Sequence, residues 1–138
     1  MLTGIIDTHA HYNDDAFAGD LDRLLGSLQS KGVEKIINCG TDEATTMASL
    51  ALAERYDFIF AAAGIHPEDC GRNDCGTVED IKRLSSHKKC VAIGEIGLDY
   101  YWTQETKELQ RQFFEEQLVL ARELDKPVII HDREAHGD

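Results

Sequence analysis

The sequence contains little proline and no long apolar run. Only 2 of its 138 residues are proline and 42% are hydrophobic, which excludes a disordered chain and fits one folded domain over residues 1–138. The longest apolar stretch, FIFAAAGI at residues 58–65, is far shorter than the roughly 18 residues that span a bilayer. The N-terminus also lacks the charged and then apolar layout of a signal peptide. We therefore expect a soluble, cytoplasmic protein with no membrane contact.

Positive charge is also scarce. The chain has 14 lysines and arginines and 26 aspartates and glutamates, which gives a formal net charge of -12. This balance excludes adhesion to nucleic acid or anionic membranes through surface charge alone, so any phosphate site needs a local source of positive charge.

The chain has only four cysteines, which are Cys39, Cys70, Cys75 and Cys90. Cys39 and Cys90 lie in apolar runs, which favours reduced thiols. For the pair in CGRNDC, a loop disulfide or a metal site is the less favoured alternative, since no second close cysteine pair completes a zinc site.

Five short apolar runs alternate with stretches of helical periodicity. The runs begin near residues 4, 34, 58, 90 and 127, and such intervals are typical of βαβ units with right-handed crossovers. Because the runs are almost wholly apolar, we expect a parallel sheet covered on both faces. The predicted helices cover residues 17–28, 42–55, 77–84 and 109–124, with Thr41 or Asp42 capping the second and Thr77 the third.

Polar side chains stand at the ends of four of these runs. Since catalytic residues collect at the C-terminal ends of parallel strands, we expect all of them on one rim of the sheet. Alternate residues of an extended segment point the same way, so two histidines spaced by two can reach one metal ion while a nearby aspartate orients them. The residues are Asp7, His9 and His11 after the first run, His66 after the third, Glu95 in the fourth and His131 in the fifth.

Glu95 is the most informative of these residues. It interrupts CVAIGEIG, and removing a carboxylate from water is expensive unless it is paired or bound to a metal. A salt bridge is the alternative for Glu95, and a hydrogen-bonded core histidine is the alternative for His131. Imidazoles together with a carboxylate predict a site for zinc, manganese, iron or hydrated magnesium, without choosing among them.

Four motifs carry these residues in a fixed order, namely IDTHAH (6–11), GIHP (64–67), GEIGLDYY (94–101) and VIIHDREA (128–135). In this order and spacing they resemble the TatD family of metal-dependent hydrolases, often described as TatD-related deoxyribonucleases. The resemblance implies an α/β fold, a TIM-type (β/α)₈ barrel of which about five βα units are present here. It also implies a site for two divalent ions at the ends of the strands.

The resemblance assigns roles to particular residues. His9 and His11 are then ligands of one ion, His131 is a ligand of the second, and Glu95 bridges both and takes part in catalysis. His66 and Arg133 correspond to residues that line the substrate pocket.

The function that the resemblance implies is hydrolysis of DNA or another phosphodiester by metal-activated water. Aromatic residues of DYYW (99–102) can stack on unpaired bases or pack over the barrel, and Asp99 fits a helix-cap residue better than a pocket acid. An amidohydrolase acting on C–N bonds is one alternative, although many of these have a modified lysine where this chain has Glu95. A non-catalytic metal-binding half-barrel is the other alternative.

The length of the chain departs from the family, whose members are about twice as long. The chain therefore matches only the N-terminal portion of the barrel, and no residue is assigned to the family's late-strand ligands. We expect the chain alone to be weakly active or inactive. Its exposed strand edges favour self-association or binding of a complementary C-terminal barrel fragment.

Overall fold

Strands and helices alternate along the chain. The computed structural model describes residues 3–102 and 104–138. The strands are β1 (Ile5–Ala10), β2 (Val33–Cys39), β3 (Ile59–Ala63), β4 (Cys90–Asp99) and β5 (Val128–Arg133). The helices are α1 (Leu21–Ser30), α2 (Glu43–Arg55), α3 (Val78–Ser85) and α4 (Lys107–Glu123), with 3₁₀ turns at Asp15–Phe17 and Gln104–Thr106.

All five strands form one parallel sheet in the order β1-β2-β3-β4-β5. This confirms the predicted parallel sheet and its alternation with helices, and it is the strand order of consecutive units in a (β/α) barrel. Among the residues that the structure describes, no helix is both long and apolar enough to cross a membrane.

Helix starts follow the capping residues in the sequence. At α2 the structure selects Asp42 over Thr41, because the Asp42 carboxylate accepts from the Thr45 amide in a capping box. Thr77 caps α3 in the same way, as predicted. The prediction for α1 was wrong at its start, since Phe17 ends a separate 3₁₀ turn, where its ring packs 5.3 Å from that of Tyr12.

Two buried glutamines fix α4 against the C-terminal ends of β3 and β4. The Gln117 side chain accepts from the Ile65 amide (2.7 Å) and donates to the Ile65 carbonyl (3.1 Å). Gln110 makes the same pair of bonds to the main chain of Asp99, both at 2.9 Å. Each glutamine satisfies main-chain groups that would be costly to bury unpaired. These bonds place α4 beneath the segments that carry the polar residues of the rim.

Glycines let β5 approach β4 closely. A Cβ atom at Gly97, whose φ is +146°, would overlap the carbonyl oxygen of His131, and one at Gly94 would lie 2.7 Å from the Cβ of Ile129. The register pairs Gly97 with His131. Because no side chain separates the two backbones, the His131 ring comes within reach of Glu95.

Candidate metal centre

Four imidazoles and one carboxylate converge at the C-terminal end of the sheet. The carboxylate belongs to Glu95, which is 6% exposed and lies inside β4 because that strand continues to Asp99. Two sets of side chains have potential ligand atoms within 4.8 Å of one another and share Glu95. The first set adds His9 and His11, and the second adds His66 and His131.

The two oxygens of Glu95 face different sets of imidazoles. Oε2 is 2.9 Å from Nε2 of His9 and 3.3 Å from Nε2 of His11. Oε1 is 3.0 Å from Nδ1 of His131 and 3.8 Å from Nε2 of His66. The carboxylate therefore lies between the two groups of rings, with one oxygen directed to each.

Electrostatics keep this buried carboxylate ionised. Burial by itself raises the pKa of Glu95, but the hydrogen bonds from His11 and His9, with the neighbouring His66 ring, outweigh burial and lower the pKa to about 2. The hydrogen bond to Glu95 raises the pKa of His11. Burial lowers the pKa of His66. The site thus concentrates negative charge on Glu95 and favours neutral imidazole at His66.

Two histidines test whether a cation fits the site, because both nitrogens of each ring face an oxygen acceptor. Nδ1 of His11 is 3.1 Å from the Cys39 carbonyl oxygen while its Nε2 faces Glu95. His131 has Glu95 at Nδ1 and Asp99 at Nε2, 2.9 Å away. A neutral imidazole has one N–H and cannot donate in both directions. Each ring must therefore carry a second proton or share a cation with Glu95.

The spacing of the donor atoms also suits a shared cation. Ligands about 2.1 Å from one ion, at octahedral or tetrahedral angles, are separated from one another by roughly 3.0–3.4 Å. The contacts of Glu95 with His9, His11 and His131 are 2.9, 3.3 and 3.0 Å. The contacts of His9, His11 and His131 with Glu95 therefore suit a shared divalent ion, whereas His66, at 3.8 Å from Glu95, is too distant for this spacing.

His66 differs from the other imidazoles. Its Nδ1 accepts a hydrogen bond from the Glu68 amide at 3.1 Å, so the proton of the neutral ring resides on Nε2. Of the four ring nitrogens that face Glu95, its Nε2 is also the most distant, at 3.8 Å. His66 lies close enough to Glu95 and His131 to be counted as a potential metal ligand. Its tautomer, however, directs an N–H donor into the site.

Asp7 and Arg133 lie in the two edge strands of the sheet, β1 and β5. The Asp7 carboxylate accepts from the backbone amide of His9 at 3.1 Å, so its contact with the histidine segment runs through the main chain and not through a ring. Arg133 ends β5, and its guanidinium carbon lies 4.2 Å from the centroid of the Tyr101 ring.

Asp99 is the site residue whose role sequence reasoning missed. It is fully buried. Its Oδ1 accepts from the amides of Tyr101 and Trp102 at 2.9 and 3.0 Å, so it caps a turn and not, as was expected from the sequence, the start of a helix. Its Oδ2 lies 2.9 Å from Nε2 of His131. Its position four residues beyond Glu95 is a hint in the sequence, but spacing alone does not identify the partner of its carboxylate.

An open cleft of about 330 Å³ adjoins Glu95. Its lining combines imidazoles with acidic and hydroxyl side chains, so the rings of the site are accessible from solvent. The lining includes His11, Thr41, His66, Glu68, Asp69 and Glu95.

Comparison with known proteins identifies the family of the chain. Residues 6–138 match the family model described as TatD related DNase. The chain is 41% identical over 134 residues to YabD of Bacillus subtilis (strain 168), named an uncharacterized metal-dependent hydrolase, and the match covers 97% of this chain and 52% of YabD. It is 35% identical over 134 residues to the 3'-5' ssDNA/RNA exonuclease TatD of Edwardsiella piscicida, covering 96% of this chain and 52% of that protein.

A solved structure shares the fold. The crystal structure of YjjV, a TatD homologue from Escherichia coli K12, matches with a TM-score of 0.85 and 37% identity over 96% of this chain and 52% of that chain. The match confirms the predicted barrel fold over the part that is present. The chain spans about half the length of the curated relatives it matches. On the family model and these relatives, the chain belongs to the TatD-related DNase family.

Proposed function

We propose that this chain supplies part of the centre of a metal-dependent hydrolase that cleaves phosphodiester bonds, with DNA as the substrate. The observation that supports this most is the buried Glu95 carboxylate, which directs one oxygen to His9 and His11 and the other to His131. A carboxylate between two groups of imidazoles offers ligand atoms to an ion on each side, which suits a two-metal hydrolase. The name of the Edwardsiella piscicida relative, an ssDNA/RNA exonuclease, supports a nucleic-acid substrate.

The tautomers determine which atoms would hold the ions. His11 donates from Nδ1 to the Cys39 carbonyl, which leaves its Nε2 lone pair for an ion together with Nε2 of His9. His131 donates from Nε2 to Asp99, which leaves Nδ1 for the second ion. Glu95 would contact both. When bound, divalent ions lower the pKa of a coordinated water towards about 7 and offset the charge of the phosphate.

The remaining residues act on the substrate or on the ligands. Nε2–H of His66 points into the site and donates a hydrogen bond to a phosphate or leaving oxygen. Arg133, exposed at the end of β5, presents a guanidinium that matches two phosphate oxygens. Asp99 holds the His131 ring, and Asp7 fixes the main chain at His9.

Bound ions would also offset the repulsion between the negatively charged chain and a phosphate-containing substrate. A formal net charge of -12 repels a polyanionic substrate over the surface as a whole. Bound divalent ions are the largest local charges in such a site and reverse its sign at the position of the phosphate. We therefore expect substrate binding, as well as turnover, to depend on added metal.

Metal titration of a Glu95→Gln variant tests the proposal. Calorimetry with Mn²⁺ should show that the wild-type chain binds fewer than two ions per chain. Glu95→Gln should weaken the Mn²⁺ affinity by more than about 100-fold. Loss of a residue that only supports a ligand typically lowers metal affinity by about 10- to 100-fold, and loss of the ligand itself should have a larger effect. Glu54→Gln is the matched control, because Glu54 contacts His87 and lies outside both potential ligand sets.

Hydrolysis assays separate the proposal from its alternatives. Cleavage of bis(p-nitrophenyl) phosphate by the wild-type chain should need Mn²⁺, be abolished in Glu95→Gln and remain slow. Metal-dependent hydrolysis of an N-acyl substrate without phosphodiester cleavage would favour an amidohydrolase. Metal binding that survives in Glu95→Gln would contradict the assignment of this centre.

A further inference from the structure

We propose that Asn38 is a positioning residue for the candidate metal centre, because its buried side chain holds the turn that carries His11. The inference rests on the proposed function and adds to it a residue that lies outside both potential ligand sets. The turn is called the rim turn and is defined as residues 11–14, in which the Asp14 amide donates to the His11 carbonyl at 3.1 Å.

Pairing of the strands does not by itself fix His11. The register of β1 against β2 is irregular between Asp7 and Ala10, and β1 ends at Ala10. His11 therefore lies one residue beyond the last paired residue of its strand. The side chains of His9 and His11 are 38% and 40% exposed, so packing does not enclose either ring. A set of metal ligands needs supporting contacts that hold its side chains in place.

Asn38 is a polar residue at a position suited to an apolar one. It is fully buried in β2, next to Ile37 and Cys39 and two residues after Ile36. A buried amide is costly unless its polar atoms are paired. The residue type therefore directs attention to hydrogen bonds that an aliphatic side chain of similar size cannot make.

Two of the three hydrogen bonds of the Asn38 side chain go to the rim turn. Its Oδ1 accepts from the backbone amide of Tyr12 at 2.6 Å, and its Nδ2 donates to Oδ1 of Asn13 at 2.7 Å. The third bond runs from Nδ2 to the Ser49 hydroxyl of α2 at 2.8 Å. Both amide hydrogens are thus used, and one side chain joins the rim turn to β2 and α2.

Consecutive residues of β2 hold consecutive residues of the rim turn. The Cys39 carbonyl oxygen lies 3.1 Å from Nδ1 of the His11 ring, and the Asn38 side chain holds the main chain of Tyr12. His11 is thereby restrained both at its ring and at the main chain that follows it. The two restraints direct Nε2 of His11 towards Oε2 of Glu95, 3.3 Å away.

Two alanine variants separate positioning from stability. Asn13→Ala removes a bond between Asn38 and the rim turn, whereas Ser49→Ala removes the bond to α2 and leaves the rim turn attached. In calorimetric titration, Asn13→Ala should weaken Mn²⁺ binding by about 10-fold, the lower end of the range for residues that support a ligand. Ser49→Ala is the matched control. It should lower the urea midpoint of unfolding, because a buried amide hydrogen loses its acceptor, and leave Mn²⁺ affinity unchanged.

A third variant removes all three bonds at once. Asn38→Leu keeps a side chain of similar volume and should weaken Mn²⁺ binding more than Asn13→Ala does. If Asn38→Leu does not fold, Asn13→Ala still decides the question, because Asn13 is only half-buried and its loss leaves no cavity in the core.

Hydrogen exchange of the metal-free chain tests the ordering of the rim turn without an ion. Mass spectrometry of a peptide spanning residues 9–14 measures the exchange of its backbone amides. Exchange should be at least about 5-fold faster in Asn13→Ala and Asn38→Leu than in the wild type, since a lost hydrogen bond shifts a local opening equilibrium by about that factor. Ser49→Ala should exchange at the wild-type rate in this peptide.

The inference is overturned if Asn13→Ala leaves the exchange of residues 9–14 unchanged, if faster exchange is not accompanied by weaker Mn²⁺ binding, or if Ser49→Ala weakens that binding equally. Failure of the proposed function is a separate result. A wild-type chain that binds no Mn²⁺ contradicts the metal centre itself, and exchange over residues 9–14 then still shows whether Asn38 orders the His11 segment.

Discussion

Asp99 links the His131 ring to the turn after β4 through one side chain. It contacts Nε2 of His131 and accepts hydrogen bonds from the backbone amides of Tyr101 and Trp102. Burial by itself raises the pKa of Asp99, whereas the hydrogen bonds from Trp102, His131 and Tyr101 lower it, and lowering prevails. The group therefore stays ionised and accepts the Nε2 proton of His131, which would leave Nδ1 of that ring for the proposed metal ion. Asp99 is a positioning residue.

Replacing Asp99 should weaken the metal site without unfolding the chain. We expect Asp99→Asn to reduce Mn²⁺ affinity by about 10- to 100-fold. The asparagine side chain lacks the carboxylate charge that holds the protonated Nε2 of His131 in place. Calorimetric titration measures the affinity, and far-UV circular dichroism checks the fold. Asp132→Asn is the matched control, since Asp132 is exposed and bonds to His136 at 2.7 Å. Equal affinities in the two variants would contradict the role of Asp99.

The sequence could place the site residues but not their hydrogen bonds. Strand-end positions of His9, Glu95 and His131 follow from the alternation of apolar runs, because parallel strands end on one rim. The partner of each ring nitrogen depends on cross-strand register and on glycine contacts such as the one at Gly97. For that reason the link from Asp99 to His131 was not predictable from spacing alone.

At the scale of elements, local signals predicted most of the fold. Apolar runs located all five strands, and capping residues located the starts of α2 and α3. The buried Gln110 and Gln117 were not predictable, since both look like surface positions of an amphipathic helix. Their burial depends on main-chain groups of other elements, which no local pattern reveals.

The cap of α2 gives a stability prediction for an element. Asp42→Ala should lower the free energy of unfolding by about 1 kcal/mol, because the Thr45 amide loses its buried acceptor. Asp42→Asn should recover most of this loss. Asp20→Ala is the control, since Asp20 precedes α1 without making a side-chain cap bond. Urea unfolding of the three variants provides the comparison, and equal losses for Asp42→Ala and Asp20→Ala would contradict it.

For the whole molecule, the open sheet is the dominant physical feature. In the described part of the chain, β1 and β5 each pair on one side only. Their apolar side chains are exposed, with Ile6 at 56% and Ile130 at 53%. Unpaired edges of this kind template further strand pairing. The formal net charge of -12 opposes association, whereas exposed Ile6 and Ile130 at the two edge strands favour it.

We therefore expect the 138-residue chain to self-associate through these edges. Sedimentation velocity should show species larger than the monomer whose fraction rises with protein concentration, because edge pairing buries Ile6 and Ile130 and satisfies main-chain groups. The double variant Ile6→Lys/Ile130→Lys should shift the population to monomer, since charged side chains on an edge strand block pairing. Met47→Lys adds charge at an exposed position of α2 and should leave association unchanged. A wild-type chain that stays monomeric at all concentrations, or a Met47→Lys effect as large as that of the double variant, would show that the edges do not drive association.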